Sequence, residues 1–300
     1  MGDPAGIGAE VAAKALLKTR FPKGIVPVVI GNRAVWQQVW PAGRPEPLFI
    51  HIANKARVQH RPGMPTSASG MDSLLYLEKA VELIKDGRAQ ALVTAPVSKE
   101  SISRFIPGFK GHTTYLADAF GKKNVEMLFV ADKIKLVLVT RHIALRDVPG
   151  KITSKKLSDV VRATHRFLVE HFKAGNPRIA VLGLNPHAGE GGHIGREEIQ
   201  SVIPAITKLR SAGMDIYGPF PADTFFEPRN CRGYDLIVAM YHDQALTVLK
   251  SQYFDRLVNL TIGLPFIRTS PAHGTAFGIA GKGIADEGSM LASLKLAVGL

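Results

Sequence analysis

The stretch from Arg178 to Ile199, RIAVLGLNPHAGEGGHIGREEI, decides the fold class of this chain. Its apolar, β-branched opening, Ile179 to Leu184, is typical of a buried strand. The strand must end at Pro186, which cannot continue a sheet ladder. A glycine-rich loop follows, and we expect a helix to begin near Glu197. Because α/β proteins bind ligands at the carboxyl ends of strands and at helix N-termini, the pattern predicts an α/β fold with His187 as a metal ligand.

Strands and helices alternate along the rest of the chain with short connections. This alternation predicts an α/β protein with a largely parallel sheet. Strands are predicted over 26–31, 91–94, 126–130, 134–140, 235–240 and 257–262, and helices over 9–19, 71–87, 154–172, 197–209 and 288–298.

The opening residues MGDPAGIG form a glycine/proline loop that leads into the first helix. Such a loop normally follows the end of a strand, so we expect a strand ahead of it. Pro27 lies inside the next predicted strand, which indicates either an edge strand or a strand start.

The composition limits the class of protein. Three hundred residues, 46% of them hydrophobic, fit one large domain or two medium ones, and no apolar run reaches the ~20 residues of a membrane span. A single cysteine and the absence of a charged-then-apolar leader predict a cytoplasmic protein. The net charge of +13 suits nucleic acid or small anions. Lysine and arginine are spread without long runs, so we expect anionic small molecules and no nucleic acid.

Three predicted strands each deliver one histidine at the carboxyl end: His142, His187 and His242. A single histidine of this kind is more often a hydrogen-bonded structural residue. Three on separate strands of one sheet instead predict a catalytic divalent-metal site, because neutral imidazoles suit such ions and three protein ligands leave a position open. Asp147, Asp223 and Asp243 are candidates for orienting the imidazoles, with helix capping or a surface ion pair as the alternative.

The C-terminal section has a different character. A strand carrying Asn259 is followed by an extended segment, 263–270, that presents Arg268. The small residues of 273–276 (HGTA) and 280–286 (AGKGIAD) permit close backbone approach to a ligand such as an adenosine phosphate. The alternative for HGTA is an ordinary turn before the last helix. No GxGxxG follows an early strand, so a Rossmann cofactor site is not predicted.

Nine sequence blocks together resemble the 4-hydroxythreonine-4-phosphate dehydrogenase (PdxA) family, in the right order over nearly the whole chain. They are GDPAGIG, APVSK, GHTTYL, HIALRDVP, GLNPHAGEGGHIGREE, FPADT, YHDQALTVLK, NLTIGLPFIRTS and HGTAFGIAGKGIAD. The resemblance implies an isocitrate/isopropylmalate-dehydrogenase-like fold, with two α/β subdomains and the active site in the cleft between them. We expect residues 1–110 plus 273–300 to form the cofactor-side subdomain, and residues 111–272 the metal, substrate and dimerisation subdomain. Thr114 and Arg141 depart from the usual pattern.

The resemblance also implies an activity. This is NAD-dependent, divalent-metal-dependent oxidation of 4-phosphohydroxy-L-threonine at C3, then decarboxylation to 3-amino-2-oxopropyl phosphate, in vitamin B6 synthesis. The implied assembly is a homodimer with a shared active site. Carried over residue by residue, the metal ligands are His142, His187 and His242; the catalytic residues are Lys250 and Asp223; the substrate contacts are His112, Thr113, Lys250, Asn259 and Arg268; and the cofactor contacts are His273, Gly274, Thr275, Ala276 and Asp286.

Several alternatives stay open on the sequence. One alternative activity is that of a 4-phospho-D-threonate or erythronate dehydrogenase of sugar-acid catabolism, whose substrate would make the same phosphate and carboxylate contacts. Three histidines alone also suit a metal-dependent hydrolase. The metal is zinc, magnesium, manganese or cobalt, and NADP is an alternative to NAD.

Overall fold

The structure is a computed structural model, and it describes residues 1–53 and 59–300. Strands and helices alternate along these residues, as predicted. In chain order the elements are α1 (Gly8–Lys18), β1 (Val28–Gly31), α2 (Arg33–Val39), β2 (Leu48–His51), α3 (Ser67–Lys85), β3 (Ala91–Val93), α4 (Lys99–Ser103), α5 (His112–Ala119), β4 (Glu126–Ala131), β5 (Ile134–Leu138), α6 (Val148–Lys151), α7 (Ser154–His171), β6 (Ile179–Leu182), α8 (Ile203–Ser211), β7 (Ile216–Phe220), α9 (Ala222–Phe225), α10 (Pro228–Cys231), β8 (Leu236–Ala239), α11 (His242–Tyr253), β9 (Val258–Ile262), β10 (Ile267–Pro271) and α12 (Gly288–Gly299).

The chain divides into two compact units. The first comprises residues 1–125 and 255–300, and the second comprises residues 126–254. The second unit is shorter at both ends than the predicted subdomain 111–272. Contacts in the first unit explain the difference: Leu116 of α5 packs with Leu77 and Val81 of α3, and β10 pairs with β3.

The strands of the first unit form two groups. β1 and β2 pair in parallel, with Val28 opposite Leu48. β10 pairs in parallel with β3 and antiparallel with β9, which places Arg268 opposite Leu92. The predicted sheet is largely parallel, and the β9–β10 pair is an antiparallel exception within it. Its cause is the short Gly263 turn, which leaves no room for the crossover that a parallel pair needs.

The helices of the first unit bury apolar faces of the predicted kind. α3 buries Leu74, Leu77, Ala80 and Leu83, as its periodicity predicted. It begins four residues before the predicted start, because Thr66 and Ser69 form a capping box. α1 buries Val11 and Ala15 against Met290 of α12.

The second unit contains strands in the order β4-β5-β8-β6-β7. β4 and β5, both predicted as strands, form an antiparallel hairpin whose turn places Asp132 at φ 51°. The pairs β5–β8, β8–β6 and β6–β7 are parallel. Every residue of β6 and β8 is buried, which explains why both read as unbroken apolar runs.

Some elements have no clear signal in the sequence. β7 contains Gly218 and Pro219, two residues that normally interrupt a strand, and it was not predicted. The helix predicted from Glu197 is confirmed, although its first turn, Glu198–Val202, is a π-helical turn. None of the described helices is both long enough and apolar enough to cross a membrane.

A glycine at the α3–α4 contact gives a test of this packing. A Cβ on Gly70 would lie 2.5 Å from the carbonyl carbon of Ser101. We therefore expect Gly70→Ala to destabilise the protein by about 1–3 kcal/mol, through overpacking. Urea unfolding measures the loss, and Gly278→Ala, where a Cβ meets nothing within 4 Å, is the matched control. Equal stability of the two variants would contradict the α3–α4 contact.

Candidate active site

The three predicted metal histidines all belong to the second unit. β8 pairs in parallel with both β5 and β6, so the carboxyl ends of these strands lie at one edge of the sheet. His142, His187 and His242 each follow one of these strands. The rings of His142 and His242 are close together, with centroids 5.4 Å apart.

His242 is the first residue of α11 and has a defined partner. Its Nδ1 lies 2.6 Å from Oδ1 of Asp243. Because a carboxylate only accepts hydrogen bonds, Nδ1 is the donor, and the tautomer that this contact favours leaves Nε2 as the nitrogen that can bind a metal. The interpretation of Asp243 as a residue that orients an imidazole is therefore supported by a direct contact. Gln244 fixes the start of α11 by donating to the carbonyl of Gly183 at 2.7 Å and accepting from the Met240 amide at 2.7 Å.

His187 lies on a loop with an uncommon backbone. His187, Ala188 and Glu190 have φ values of 52°, 53° and 43°, in the left-handed region that residues other than glycine rarely adopt. Such a conformation persists only where the surroundings determine it, and it is concentrated at functional sites.

Glu198 holds this loop in place. Its buried carboxylate accepts hydrogen bonds from the backbone amides of Leu184 and Asn185 at 2.7 and 2.8 Å, and from Asn185 Nδ2 at 2.9 Å. Glu197 accepts from the same Asn185 amide group, which lowers the pKa of the Glu197 carboxyl. The sequence signal for this anchor was the Glu-Glu pair after the glycine loop, and sequence analysis did not assign it a role.

The donor set suits a divalent metal, since three imidazoles with neutral rings are ligands that zinc and related ions accept. Within one chain, however, only His142 and His242 come together. Across residues 1–53 and 59–300, no three histidine, cysteine, aspartate or glutamate side chains are close enough to hold an ion.

The two predicted catalytic residues are exposed on the same unit. Asp223 is in the first turn of α9. Lys250 is on α11, eight residues after His242, which corresponds to about 12 Å along the helix axis. Both side chains are thus placed to reach a ligand from solvent.

The first unit contains a buried cation. Arg268 is 3% exposed, and its Nη2 donates to Thr94 Oγ1 at 2.6 Å. Nη1 donates to Thr261 Oγ1 at 3.1 Å and, at 3.5 Å, to Thr113 Oγ1. Burial lowers the pKa of Arg268 to about 10, so the guanidinium stays charged at neutral pH. In the described part of the chain no carboxylate pairs with it and its Nε has no hydrogen-bond partner, so the guanidinium keeps the capacity to donate to an anion.

His112 and Thr113 open α5 beside this arginine. Burial, and then the positive charges of Arg268, the N-terminal ammonium and Lys99, lower the pKa of His112 to about 3. The imidazole is therefore neutral at physiological pH. A neutral ring at the N-terminus of a helix, with free backbone amides, favours an anionic ligand.

Two more of the predicted site residues of the first unit each have a polar atom without a partner. In residues 1–53 and 59–300, Asn259 Oδ1 and His273 Nε2 are buried atoms with no hydrogen-bond partner. Both residues were predicted to contact ligands, and buried polar atoms of this kind normally find a partner in a bound molecule or in water.

The rest of the predicted cofactor segment is held by backbone contacts. The Thr275 carbonyl accepts from the Ile7 amide at 3.0 Å, and Ala276 adopts φ 45°. This joins the HGTA segment to the loop of residues 2–8. Gly274 is exposed on the same segment. Asp286 Oδ1 accepts a hydrogen bond from the Gly288 amide at 2.8 Å, so this oxygen caps the start of α12.

Sequence analysis missed several polar residues of this unit. Thr94 and Thr261, two hydroxyl partners of Arg268, were given no role: Thr94 directly follows β3, and Thr261 lies in β9 within the NLTIGLPFIRTS block. His60, which had no recognisable setting in the sequence, is buried and its Nε2 lies 2.6 Å from Asp72 Oδ2. Asp3 is also buried, and burial raises the pKa of its carboxyl. Only the folded chain brings these residues together.

Comparison with known proteins gives a consistent result. The family model described as "Pyridoxal phosphate biosynthetic protein PdxA" matches residues 23–297. A 4-hydroxythreonine-4-phosphate dehydrogenase from Aromatoleum aromaticum is 42% identical over 312 residues, covering 100% of this chain and 94% of the relative. The crystal structure of the enzyme of that name from Klebsiella pneumoniae is 36% identical, with a TM-score of 0.83 over 100% of this chain and 96% of its own.

A more distant structure bears on the fold class. A beta-decarboxylating dehydrogenase from Thermococcus kodakarensis, 17% identical, gives a TM-score of 0.53 over 98% of this chain and 80% of its own. This similarity concerns the fold alone. Together with the Klebsiella pneumoniae structure, it confirms the predicted α/β fold class.

The electrostatics of His112 can be tested directly. We expect its ring resonances in NMR spectra to stay constant from pH 8 to pH 5, because the imidazole is neutral over that range. Since the folded pKa lies below the ordinary 6.5, the stability contributed by the neutral ring is complete above pH 6.5 and is lost as the pH falls towards 3. Arg268→Met should raise the His112 pKa, whereas Lys282→Met, which removes an exposed charge of the same unit, should not. A midpoint near 6.5 in the unsubstituted protein would contradict this account.

Proposed function

Because the chain belongs to the PdxA family, we propose that it is an NAD-dependent dehydrogenase that oxidises 4-phosphohydroxy-L-threonine at C3 and releases CO₂. The product is 3-amino-2-oxopropyl phosphate, a precursor in pyridoxal phosphate synthesis. The observation that carries this proposal is the buried guanidinium of Arg268, held by threonine hydroxyls and lacking a carboxylate partner in the described chain.

Arg268, His112 and Thr113 form the anion site of the first unit. A phosphate or carboxylate bound there satisfies the charge of Arg268 and accepts from Nε, whose partner is missing in the described residues. His112, neutral at physiological pH, donates to such an oxygen without adding a second buried charge. Asn259 offers a polar side chain from the neighbouring strand for the substrate's hydroxyl or amino group.

His142, His187 and His242 are proposed as the ligands of one divalent cation, with zinc, magnesium, manganese and cobalt all suitable. When bound, such an ion polarises a substrate oxygen as a Lewis acid and lowers the pKa of the hydroxyl. The contribution of the chain is orientation. Asp243 fixes the tautomer of His242, and Glu198 fixes the loop of His187.

The reaction requires a proton acceptor at the C3 hydroxyl. Oxidation removes the hydroxyl proton and the hydride from C3, leaving a ketone β to the carboxylate. The ketone then accepts the electron pair of the breaking C–C bond as CO₂ leaves, and the carbon is reprotonated. Lys250 and Asp223, both exposed side chains of the second unit, are the groups proposed to hold and move these protons.

NAD is proposed to contact His273, Gly274, Thr275, Ala276 and Asp286, and it supplies the hydride acceptor when bound. His273 Nε2, which lacks a partner in the described residues, is available to an adenosine or phosphate oxygen. The Ile7–Thr275 hydrogen bond keeps this segment on the first helix of the unit. NADP stays as the alternative.

We further propose a homodimer in which each metal site takes His142 and His242 from one subunit and His187 from the other. The support is the close pair of His142 and His242 and the lack of any three-ligand group within one described chain. Exposure of His142 and His187 leaves both rings accessible to a second subunit.

The direct test is NADH formation at 340 nm with a divalent metal present. We expect turnover of 4-phosphohydroxy-L-threonine. The variant Arg268→Lys should have a higher KM and therefore a lower rate at limiting substrate, because the point charge of lysine cannot reproduce the hydrogen bonds of the guanidinium. An increase of about tenfold or more corresponds to the loss of one charge-assisted hydrogen bond. Exposed Lys282→Arg is the control.

Two outcomes would contradict the proposal. Turnover of 4-phospho-D-threonate alone would establish the sugar-acid alternative on the same anion site. Phosphoester hydrolysis without NAD would establish the hydrolase alternative.

Mixed subunits test the shared metal site. When inactive His187→Ala and His242→Ala subunits are mixed at equal ratio, half of the dimers are mixed and each of these has one intact site. We therefore expect about a quarter of the unsubstituted activity.

The matched control pairs His142→Ala with His242→Ala. Both ligands come from the same subunit, so no site is rebuilt and activity stays at the background of the variants. Mass spectrometry verifies the mixed dimers. Failure of the first mixture to recover activity would place His187 and His242 of each site in the same subunit and would contradict the proposed arrangement.

A further inference from the structure

One face of α1 lies against the dinucleotide segment, residues 273–286, which contains the proposed cofactor contacts. Ile7 precedes α1 with helical backbone angles, φ −76° and ψ −3°, and its amide donates to the Thr275 carbonyl at 3.0 Å. Glu10 and Lys14 follow at spacings of three and four residues, so the three residues lie on the same face of the helix. This face therefore begins at the first part of the segment.

Lys14 binds the backbone on both sides of Ile284. Its Nζ donates to the Gly283 carbonyl at 2.9 Å and to the Ala285 carbonyl at 2.8 Å. Nζ also donates to Oε1 of Glu10 at 2.8 Å. An ammonium group has three donors, and here each of them has an acceptor within the chain. Lys14 is therefore occupied in holding the segment and has no donor left for a ligand.

Glu10 holds the same part of the segment through an amide. Its Oε1 accepts a hydrogen bond from the Ala285 N–H at 2.9 Å, and its side chain is only 8% exposed. Ala285 is itself buried and packs in one apolar cluster with Val11 and Met290. Glu10 and Lys14 together thus fix both the N–H and the C=O of Ala285.

The segment depends on such contacts because its backbone has little regular structure. Residues 284–287 belong to no helix or strand. Gly281 and Gly283 adopt φ values of 76° and 71°, in the left-handed region that glycine enters freely. Glycine also loses the most conformational freedom when it is ordered. A loop that had to be ordered on ligand binding would bind more weakly than one that is already fixed.

We propose that Glu10 and Lys14 are positioning residues for the dinucleotide, which they do not touch. They hold residues 283–286 in one conformation, so the cofactor binds to a preformed surface. This role rests on the proposed function, because it requires that the segment contacts NAD. The proposed catalytic residues belong to the second unit, so the pair acts on the affinity for NAD and leaves the chemical step unchanged.

Fluorescence titration with NADH tests this role without turnover. Lys14→Met removes two hydrogen bonds to carbonyls, and Glu10→Leu removes the acceptor of the Ala285 amide. Each variant should raise the Kd of NADH by about tenfold, as the loss of a hydrogen bond predicts. Glu10→Gln keeps an acceptor oxygen and should stay within about twofold of the unsubstituted protein.

Two further measurements separate positioning from a general loss of stability. Amides of residues 283–288 should exchange about tenfold faster in Lys14→Met, whereas amides of β3 and β10 should keep their unsubstituted rates. The KM for NAD should rise, while kcat and the KM for 4-phosphohydroxy-L-threonine should not change. Lys295→Met removes an exposed charge from α12 and is the matched control, for which every one of these values should stay constant.

Three results would overturn the proposal, and each has a different meaning. No binding of NADH or NADPH by the unsubstituted protein would contradict the proposed function as well. Normal NADH affinity in both Lys14→Met and Glu10→Leu would remove the positioning role and leave the proposed function intact. Weaker binding in Lys14→Met alone would show that the ammonium contacts the dinucleotide directly.

Discussion

Parallel pairing of β8 with β5 on one side and β6 on the other is the constraint on which the second unit depends. Parallel strands end at the same edge of a sheet, so the residues that directly follow these strands lie along that edge. The chain uses this by placing one histidine after each of the three strands. The strand residues themselves are buried almost without exception, so the sheet is rigid where the histidines are attached.

The two units hold their functional groups by different physical means. In the second unit the imidazoles are accessible and gain their orientation from carboxylates, Asp243 through the ring and Glu198 through the backbone. In the first unit the key group, Arg268, is buried and fixed by hydroxyls. Hydroxyls satisfy N–H donors but leave the positive charge unneutralised, whereas a carboxylate would neutralise it and compete with an anionic ligand.

Sequence reasoning predicted the elements that follow from local patterns. The apolar runs predicted the strands β4, β6 and β8, and the periodicity of α3 predicted its helix. The three histidines were recognised as candidate ligands from their positions after predicted strands. It did not give Thr94 as a partner of Arg268, because the two residues are 174 positions apart and threonine carries no special signal in a strand. The antiparallel pairing of β9 with β10 and the His60–Asp72 pair were also missed, although they join residues close in sequence. Their partners are chosen by the folded chain, and local propensity does not specify them.

The left-handed loop of His187 and the buried charge of Arg268 both cost free energy of folding. Each is unfavourable by itself, the loop through backbone conformation and the arginine through desolvation. His187 follows β6 and Arg268 lies within β10, two strands whose residues are nearly all buried, and this burial offsets the unfavourable terms. Glu198 restricts the loop to one conformation, because it accepts three hydrogen bonds from Leu184 and Asn185 at the start of the loop. The apolar strands therefore stabilise the fold of this protein. The polar contacts of Glu198 and of the threonine hydroxyls hold His187 and Arg268 in defined positions on those strands.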